Sequence, residues 1–402
     1  MINLKALSVS IAKTSLSFIP ILLAPLLLGP TQELLEFFRL QLVQSILMVL
    51  GSLGIGSYVF VLSERASHSR NEAIQLLKLK ILFGVVGIFI FVAGCILVLF
   101  LGTRFSQKEN ILYLLLIPFS YFYILQQIEL GGKKYRRALI YFSIPSVIFS
   151  IILLCIFVIG VDCFSEVTAF VLLGANLIFI RRYGIKNSLK RLLNKSKRHS
   201  IWKTFCGLKR QIFSGVLLAS CTPVISLVLI DWLSSLHFTP QVISAYYLYV
   251  RAVEAAIGLL VTYFIAGHFH KNISVNFSKL GIKSFGVLVF FLGLFYLIMN
   301  LATLLLVGYF DFGMAAIELV TGLIKLLLAI LTVSYIIEFP IVTGSKEGIA
   351  LVLILLVKEI YAPSTIYGFQ LLVSASFFIG LALMLIRIKF FSLKKSDVLE
   401  SN

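Results

Sequence analysis

The stretch VISAYYLYVRAVEAAIGLLVTYFIAG, residues 242–267, is a long apolar run in which only Arg251 and Glu254 are charged. A helix of about 20 mainly apolar residues spans the hydrocarbon core of a bilayer. Similar runs recur along the chain, and of its 402 residues 60% are hydrophobic and 13% charged. Soluble domains have roughly 25% charged residues. The sequence therefore predicts a polytopic membrane protein with no sizeable domain outside the membrane.

Twelve such runs, separated by short polar breaks, are predicted to be membrane-spanning helices. They are residues 6–29, 40–62, 81–101, 111–129, 139–161, 167–180, 212–232, 242–267, 284–307, 314–337, 349–362 and 366–386. The predicted fold is all-α, with about twelve transmembrane helices in two six-helix lobes. The predicted domains are an N-terminal lobe at 1–180, a basic cytoplasmic linker at 181–211, a C-terminal lobe at 212–386 and a cytoplasmic tail at 387–402.

The net charge of +18 is explained by membrane topology. If the N-terminus is cytoplasmic, the cytoplasmic segments hold 28 of the 35 Lys and Arg residues, as the positive-inside rule requires. Both termini are then cytoplasmic, and the high positive charge gives no reason to expect a nucleic-acid partner.

Several kinds of chemistry are disfavoured by the sequence. The five cysteines are scattered without a CxxC spacing, so neither a disulfide framework nor a zinc site is expected. No Walker-type phosphate loop is present, and the predicted outer loops are too short for a catalytic domain. We therefore predict no enzyme activity, no bound metal and no cofactor.

Charged residues inside predicted spans are the best functional candidates, because an ionisable group at the bilayer centre costs about 2.5–3.5 kcal/mol and usually faces a cavity or a partner. Arg251 lies roughly 14 Å and Glu254 roughly 18 Å from the outer end of the eighth span, at 1.5 Å per helical residue. Their spacing of three allows an ion pair. That pair could either fix helix register or line a functional cavity.

Three more charges, away from the ends of their spans, are candidates. Glu318 and Lys325 in the tenth span are seven residues apart and thus roughly aligned on one helical face. Lys13 in the first span lies about 11 Å from the cytoplasmic end, where it could extend to the surface or point inward.

Four passages carry a resemblance to a known family: SLGIGSYVF (52–60), SERASHSRNEAIQLLKLK (63–80), ELGGKKYRRALIYFSIPSVI (129–148) and SAYYLYVRAVEAAIGLLVTYF (244–264). With the length and the division into six and six spans, they resemble bacterial polysaccharide flippases of the Wzx type. These belong to a superfamily that includes MATE multidrug exporters and the peptidoglycan lipid flippase.

The resemblance implies a flippase of the bacterial inner membrane that acts in O-antigen or lipopolysaccharide biosynthesis. Such proteins move an oligosaccharide linked to undecaprenyl pyrophosphate from the cytoplasmic to the periplasmic leaflet by alternating access. Lys13, Arg251 and Lys325 would then bind the anionic substrate in a central cavity, and Glu254 and Glu318 are candidates for ion coupling. The implied partners are the lipid-linked oligosaccharide, membrane lipids and the polysaccharide polymerase and chain-length machinery.

Two alternatives stay open. Glu254 and Glu318 offset two of the three intramembrane cations, which leaves room for an exporter of organic cations of the MATE type. A membrane enzyme such as an O-antigen polymerase or ligase is the other, and the short outer loops disfavour it.

Overall fold

The computed structural model shows a chain whose described elements are all helical, with no strand in the described ranges. These ranges are residues 4–52, 59, 62–63, 65–66, 68–101, 115–160, 163–182, 203, 206–207, 223–268, 290, 293–294, 296–297, 300–301, 303–309, 311–335 and 340–400. The chain forms two compact units, Leu7–Pro223 and Val224–Asn402, the latter together with Met1–Ala6. We call them the N-terminal and the C-terminal unit. Most of the predicted linker lies outside the described ranges, so the predicted lobes and linker stay predictions.

The N-terminal unit contains six described α-helices. They are α1 (Leu4–Leu28, which begins just before the unit), α2 (Gln32–Gly51), α3 (Arg70–Leu101), α4 (Ser120–Gly131), α5 (Tyr135–Ile159) and α6 (Phe164–Arg182). Phe37 on α2 and Phe149 on α5 pack edge to face with ring centroids 5.8 Å apart, and both are buried. Asn176 on α6 donates one hydrogen bond, 2.9 Å long, to the carbonyl oxygen of Leu115. This bond satisfies a donor of the buried amide, whose oxygen accepts no hydrogen bond from the part of the chain that the structure describes.

The C-terminal unit contains α7 (Pro240–His268), α8 (Phe312–Tyr335), α9 (Pro340–Ile360) and α10 (Ile366–Glu400), preceded by the helical segment Pro223–Ser235. Helix α8 packs against α7, α9 and α10. Phe369 of α10 is fully buried and lies in edge-on contact with Trp232 and Tyr246, at centroid distances of 5.0 and 5.6 Å. The core of this unit is therefore an aromatic cluster that joins three elements.

Helix ends differ from the predicted spans where a helix continues into polar sequence. Helices α2, α3 and α9 begin at Gln32, Arg70 and Pro340, whereas the predicted spans began at residues 40, 81 and 349. Helix α10 continues through the predicted tail to Glu400. The span prediction ended at charged residues, but helical hydrogen bonds do not depend on hydropathy.

Prolines have unequal effects on the helices. Pro118 lies in the 3₁₀ turn Ile117–Phe119 before α4, so the predicted fourth span is interrupted there. Pro20 and Pro25 lie inside α1, and Pro145 lies inside α5, without ending either helix. A proline removes one backbone donor and crowds the preceding turn, which kinks some helices and ends others.

Two described helices, Tyr135–Ile159 and Ile366–Ile386, are long and apolar enough throughout to cross a membrane. The side chains of other predicted spans lie partly outside the described residues, as in residues 93–101 of the third span.

Candidate functional site

An ion pair on α7 occupies the middle of the helix. Arg251 Nη1 and Glu254 Oε2 are 2.9 Å apart, so the pairing expected from their spacing is present. The Arg251 guanidinium lies 5.8 Å from the centroid of the Tyr247 ring, within the range of a cation–π contact. Ser226, from the preceding helical segment, donates a hydrogen bond of 3.1 Å to the other oxygen, Glu254 Oε1. Both carboxylate oxygens of Glu254 therefore have partners.

A looser ion pair lies on α8. Lys325 Nζ is 3.7 Å from Glu318 Oε1, and the two side chains are 10% and 2% exposed. This distance is too long for a hydrogen bond, and Glu318 Oε1 accepts none from the part of the chain that the structure describes. Lys325 Nζ also lies 4.9 Å from the centroid of the Phe377 ring on α10. The Glu318 carboxylate is thus buried with one oxygen incompletely paired.

The two pairs are neighbours, because α7 and α8 approach closely between them. A Cβ atom on Gly322 of α8 would lie only 2.6 Å from Val253 Cγ1 of α7, so a residue without a side chain is required at this contact. Glu254 directly follows Val253 on α7, and Glu318 lies one turn before Gly322 on α8, so both carboxylates belong to turns at this contact. We call Arg251, Glu254, Glu318 and Lys325 the charge cluster.

The charge cluster has a formal net charge of zero. Moving single charges from water into a helix bundle is costly, and opposite charges in contact reduce that cost. An anion could bind Arg251 or Lys325 only by competing with a carboxylate, and a cation could bind a carboxylate only by competing with Arg251 or Lys325. Protonation of a carboxylate would release the cation beside it.

A polar seam between α8 and α10 continues from the charge cluster. The Thr321 and Ser374 hydroxyls share a hydrogen bond, and Gln370 Nε2 donates one of 3.0 Å to the carbonyl oxygen of Met314. Thr321, Ser374 and Gln370 are all buried. Sequence reasoning did not select these residues. The available signal was the spacing of four between Gln370 and Ser374, which places two polar residues on one face of an apolar helix.

Asp311 connects the beginnings of α8 and α10. Its Oδ1 accepts the backbone N–H of Met314 at 3.0 Å, which is the geometry of an N-cap, and Tyr367 donates to the same carboxylate at 2.7–2.8 Å. Burial alone would raise the pKa of Asp311, but hydrogen bonds from the backbone of Met314, from Tyr367 and from other groups nearby lower it below its ordinary value. Asp311 is therefore a structural carboxylate at the end of α8.

The remaining predicted site residue is Lys13. It lies on α1, but its side chain is outside the described residues, so its part in a binding site stays a prediction. Within the described ranges, no group of three or more His, Cys, Asp or Glu side chains is arranged to hold a metal ion.

The fold is similar to that of a protein of known structure. No family model and no curated protein matches the sequence. A crystal structure of a MATE protein in complex with Br-NRF matches over 97% of this chain and 94% of that chain, with a TM-score of 0.52 and 13% sequence identity. The chain has a MATE-like fold. The expectation of a MATE-like helical architecture is thereby confirmed, and at this identity the similarity concerns the fold alone.

Proposed function

We propose that the protein is a flippase that moves a lipid-linked oligosaccharide, carried on undecaprenyl pyrophosphate, from the cytoplasmic to the periplasmic leaflet of a bacterial inner membrane. The MATE-like fold supports a transporter, and the charge cluster is the observation that carries the proposal. Arg251 and Lys325 are largely enclosed cations in an apolar helical unit, with side chains 22% and 10% exposed. Arginine and lysine are the side chains best suited to bind phosphate oxygens, and they do so more strongly in a low-dielectric site than in water.

The two cations have different roles in this proposal. Arg251 is held by Glu254, whose second oxygen is bonded to Ser226, so this pair is the more rigid one. Lys325 is 3.7 Å from Glu318 and is the more easily released. A proton taken up by Glu318 would free Lys325 for the pyrophosphate, and loss of the proton would restore the pair and favour release. Substrate binding and ion binding would thus be coupled through Glu318.

A second candidate is the export of an organic cation. Its support is the MATE fold together with the two carboxylates of the charge cluster, which compete for cations. Arg251 and Lys325 disfavour it, because each would repel a cationic substrate.

The decisive experiment follows lipid-linked repeat units by leaflet in cells that lack the gene. The cells are complemented with wild type, Arg251→Ala, Arg251→Lys, Lys325→Ala or Glu318→Gln at equal membrane expression. Lys358→Ala is the matched control, because Lys358 is a cation of the same unit in the last turn of α9. We expect deletion, Arg251→Ala and Lys325→Ala to hold completed units on the cytoplasmic leaflet, while Lys358→Ala restores transport.

Two other outcomes would reject the proposal. If single units reach the periplasm but do not polymerise, the protein acts after translocation, as a polymerase or ligase would. If polysaccharide assembly is normal and cells instead become sensitive to organic cations, the export function takes its place.

A further inference from the structure

Two basic segments meet at one end of the N-terminal unit. Ser63 Oγ donates a hydrogen bond of 2.6 Å to the carbonyl oxygen of Ile128, near the end of α4. A Cβ atom added to Gly132 would lie 3.8 Å from the same Ser63 oxygen. The segment that leads into α3 therefore lies beside the turn between α4 and α5.

Six cations surround this junction, and we call them the basic rim. They are Arg65, Arg70, Lys133, Lys134, Arg136 and Arg137, and all six are exposed. None of them forms an ion pair with a carboxylate in the ranges that the structure describes. The carboxylates near them in sequence are Glu64, Glu72 and Glu129, three against six cations, so the rim keeps a net positive charge.

An exposed apolar face of α5 begins where the basic rim ends. Ile140, Val147, Ile151, Leu154 and Val158 are between 42% and 80% exposed. Their spacings of seven, four, three and four place them on one helical face, and Arg136 precedes Ile140 by four residues on that face. The face is about 27 Å long at 1.5 Å per residue, close to the thickness of the hydrocarbon core.

We propose that the basic rim and the exposed face of α5 together bind an anionic phospholipid. The phosphate lies among the rim cations, where Arg136 and Arg137 can donate paired hydrogen bonds to its oxygens, and the acyl chains lie along the apolar face. Membrane topology accounts for the side on which these cations lie. Topology does not explain why these cations are exposed and form no ion pair with a described carboxylate. Nor does it explain why they lie next to an exposed apolar helix face. The proposal is independent of the transported substrate.

The test uses the full-length protein in detergent and measures retained lipid by native mass spectrometry. Phosphatidylglycerol and phosphatidylcholine of equal chain length are the probes. We expect wild type to retain phosphatidylglycerol in preference, and Arg136→Gln/Arg137→Gln to bind it about tenfold more weakly. Arg136→Lys/Arg137→Lys keeps the charge but loses the paired hydrogen bonds, so its binding should lie between that of wild type and that of the glutamine variant. The matched control Lys394→Gln/Lys395→Gln removes the same charge from the C-terminal unit and should change binding by no more than about twofold.

A second variant, Arg65→Gln/Arg70→Gln, tests the other segment of the rim and serves if the first variant does not fold. Equal phosphatidylglycerol and phosphatidylcholine binding in wild type overturns the proposal. So does an equal loss in the rim variants and the control, which would indicate a general charge effect. Displacement of phosphatidylglycerol by equimolar undecaprenyl pyrophosphate would assign the surface to a lipid-linked substrate and not to a phospholipid.

Discussion

Helices α5 and α8 are apolar and almost equal in length, 25 and 24 residues, but they have opposite environments. The charges of α5, Arg136 and Arg137, lie in its first turn, and much of its apolar surface is exposed. Helix α8 carries Glu318 and Lys325 in its interior and buries both against α7 and α10. Interior charges thus occur where a helix packs on protein groups that can pair with them, whereas a helix face in contact with hydrocarbon must remain apolar.

The largest expected effect comes from breaking the looser ion pair. Lys325→Ala leaves the buried Glu318 carboxylate without its cation, so we expect the free energy of unfolding to fall by about 3–5 kcal/mol. Ile151→Ala on the exposed face of α5 should cost no more than about 0.5 kcal/mol. Denaturant titration in detergent measures both.

The double variant Glu318→Gln/Lys325→Met removes both charges together. It should recover most of the stability lost in Lys325→Ala but should not transport, because the released cation is gone. If Lys325→Ala and Ile151→Ala lower the free energy of unfolding by the same amount, α8 does not bury its charges more deeply than α5 buries its apolar face.

The second effect tests the close contact of α7 and α8. In Gly322→Ala the new methyl group would meet Val253 Cγ1, and since valine has little rotamer freedom in a helix, we expect a cost of about 1–3 kcal/mol. Val253→Ala in the same chain should recover much of it. The control is Gly174→Ala on α6, where nothing lies within 4 Å of the added atom and a small gain in stability is expected. A loss of equal size at Gly174 would contradict the packing argument.

A third comparison concerns hydrogen bonds. The coupling energy between Thr321→Val and Ser374→Ala, measured by a double-mutant cycle of unfolding free energies, should be up to about 1.5 kcal/mol because their shared bond is buried. Ser143→Ala on α5 removes an exposed bond to the carbonyl oxygen of Ile140 and should cost less than about 0.5 kcal/mol. A coupling near zero would show that the α8–α10 seam does not stabilise the unit.

The smallest effect depends on pH and compares the starts of the two helices. At pH 7 Asp311→Ala should lower the free energy of unfolding by about 1 kcal/mol through loss of the N-cap of α8. Because the pKa of Asp311 is lowered in the folded state, this contribution is complete above the ordinary value of about 3.9 and disappears as pH falls through the folded-state pKa.

Lys134, before α5, makes no capping hydrogen bond with its side chain. Lys134→Ala should therefore show no such acid-dependent difference from wild type between pH 6 and pH 3. A constant effect of Asp311→Ala over the same range would mean that the carboxylate charge does not contribute.

The helical class and the approximate helices followed from hydropathy because a run such as 242–267 has few alternatives in a membrane. The first residues of α2, α3 and α9 did not follow from hydropathy. Charged residues indicate where a segment leaves the hydrocarbon core, but a helix can continue beyond that point. For the charge cluster, the sequence predicted the pairing of Arg251 with Glu254, which are local neighbours on one helix. Ser226, Gln370 and Ser374 were missed, because their partners come from other helices and spacing along one helix does not reveal them.

By itself the sequence determined the helical class of the described elements, and it indicated Lys13, Arg251, Glu254, Glu318 and Lys325 as the charges most costly to bury. Both follow from the free energy of moving side chains from water into an apolar medium, which depends on composition. Only the tertiary structure decided that the two ion pairs are neighbours, that one is tight and the other loose, and that α5 turns an apolar face outward. These depend on helix contacts such as Gly322 with Val253, since packing sets distances between residues that are far apart in the chain.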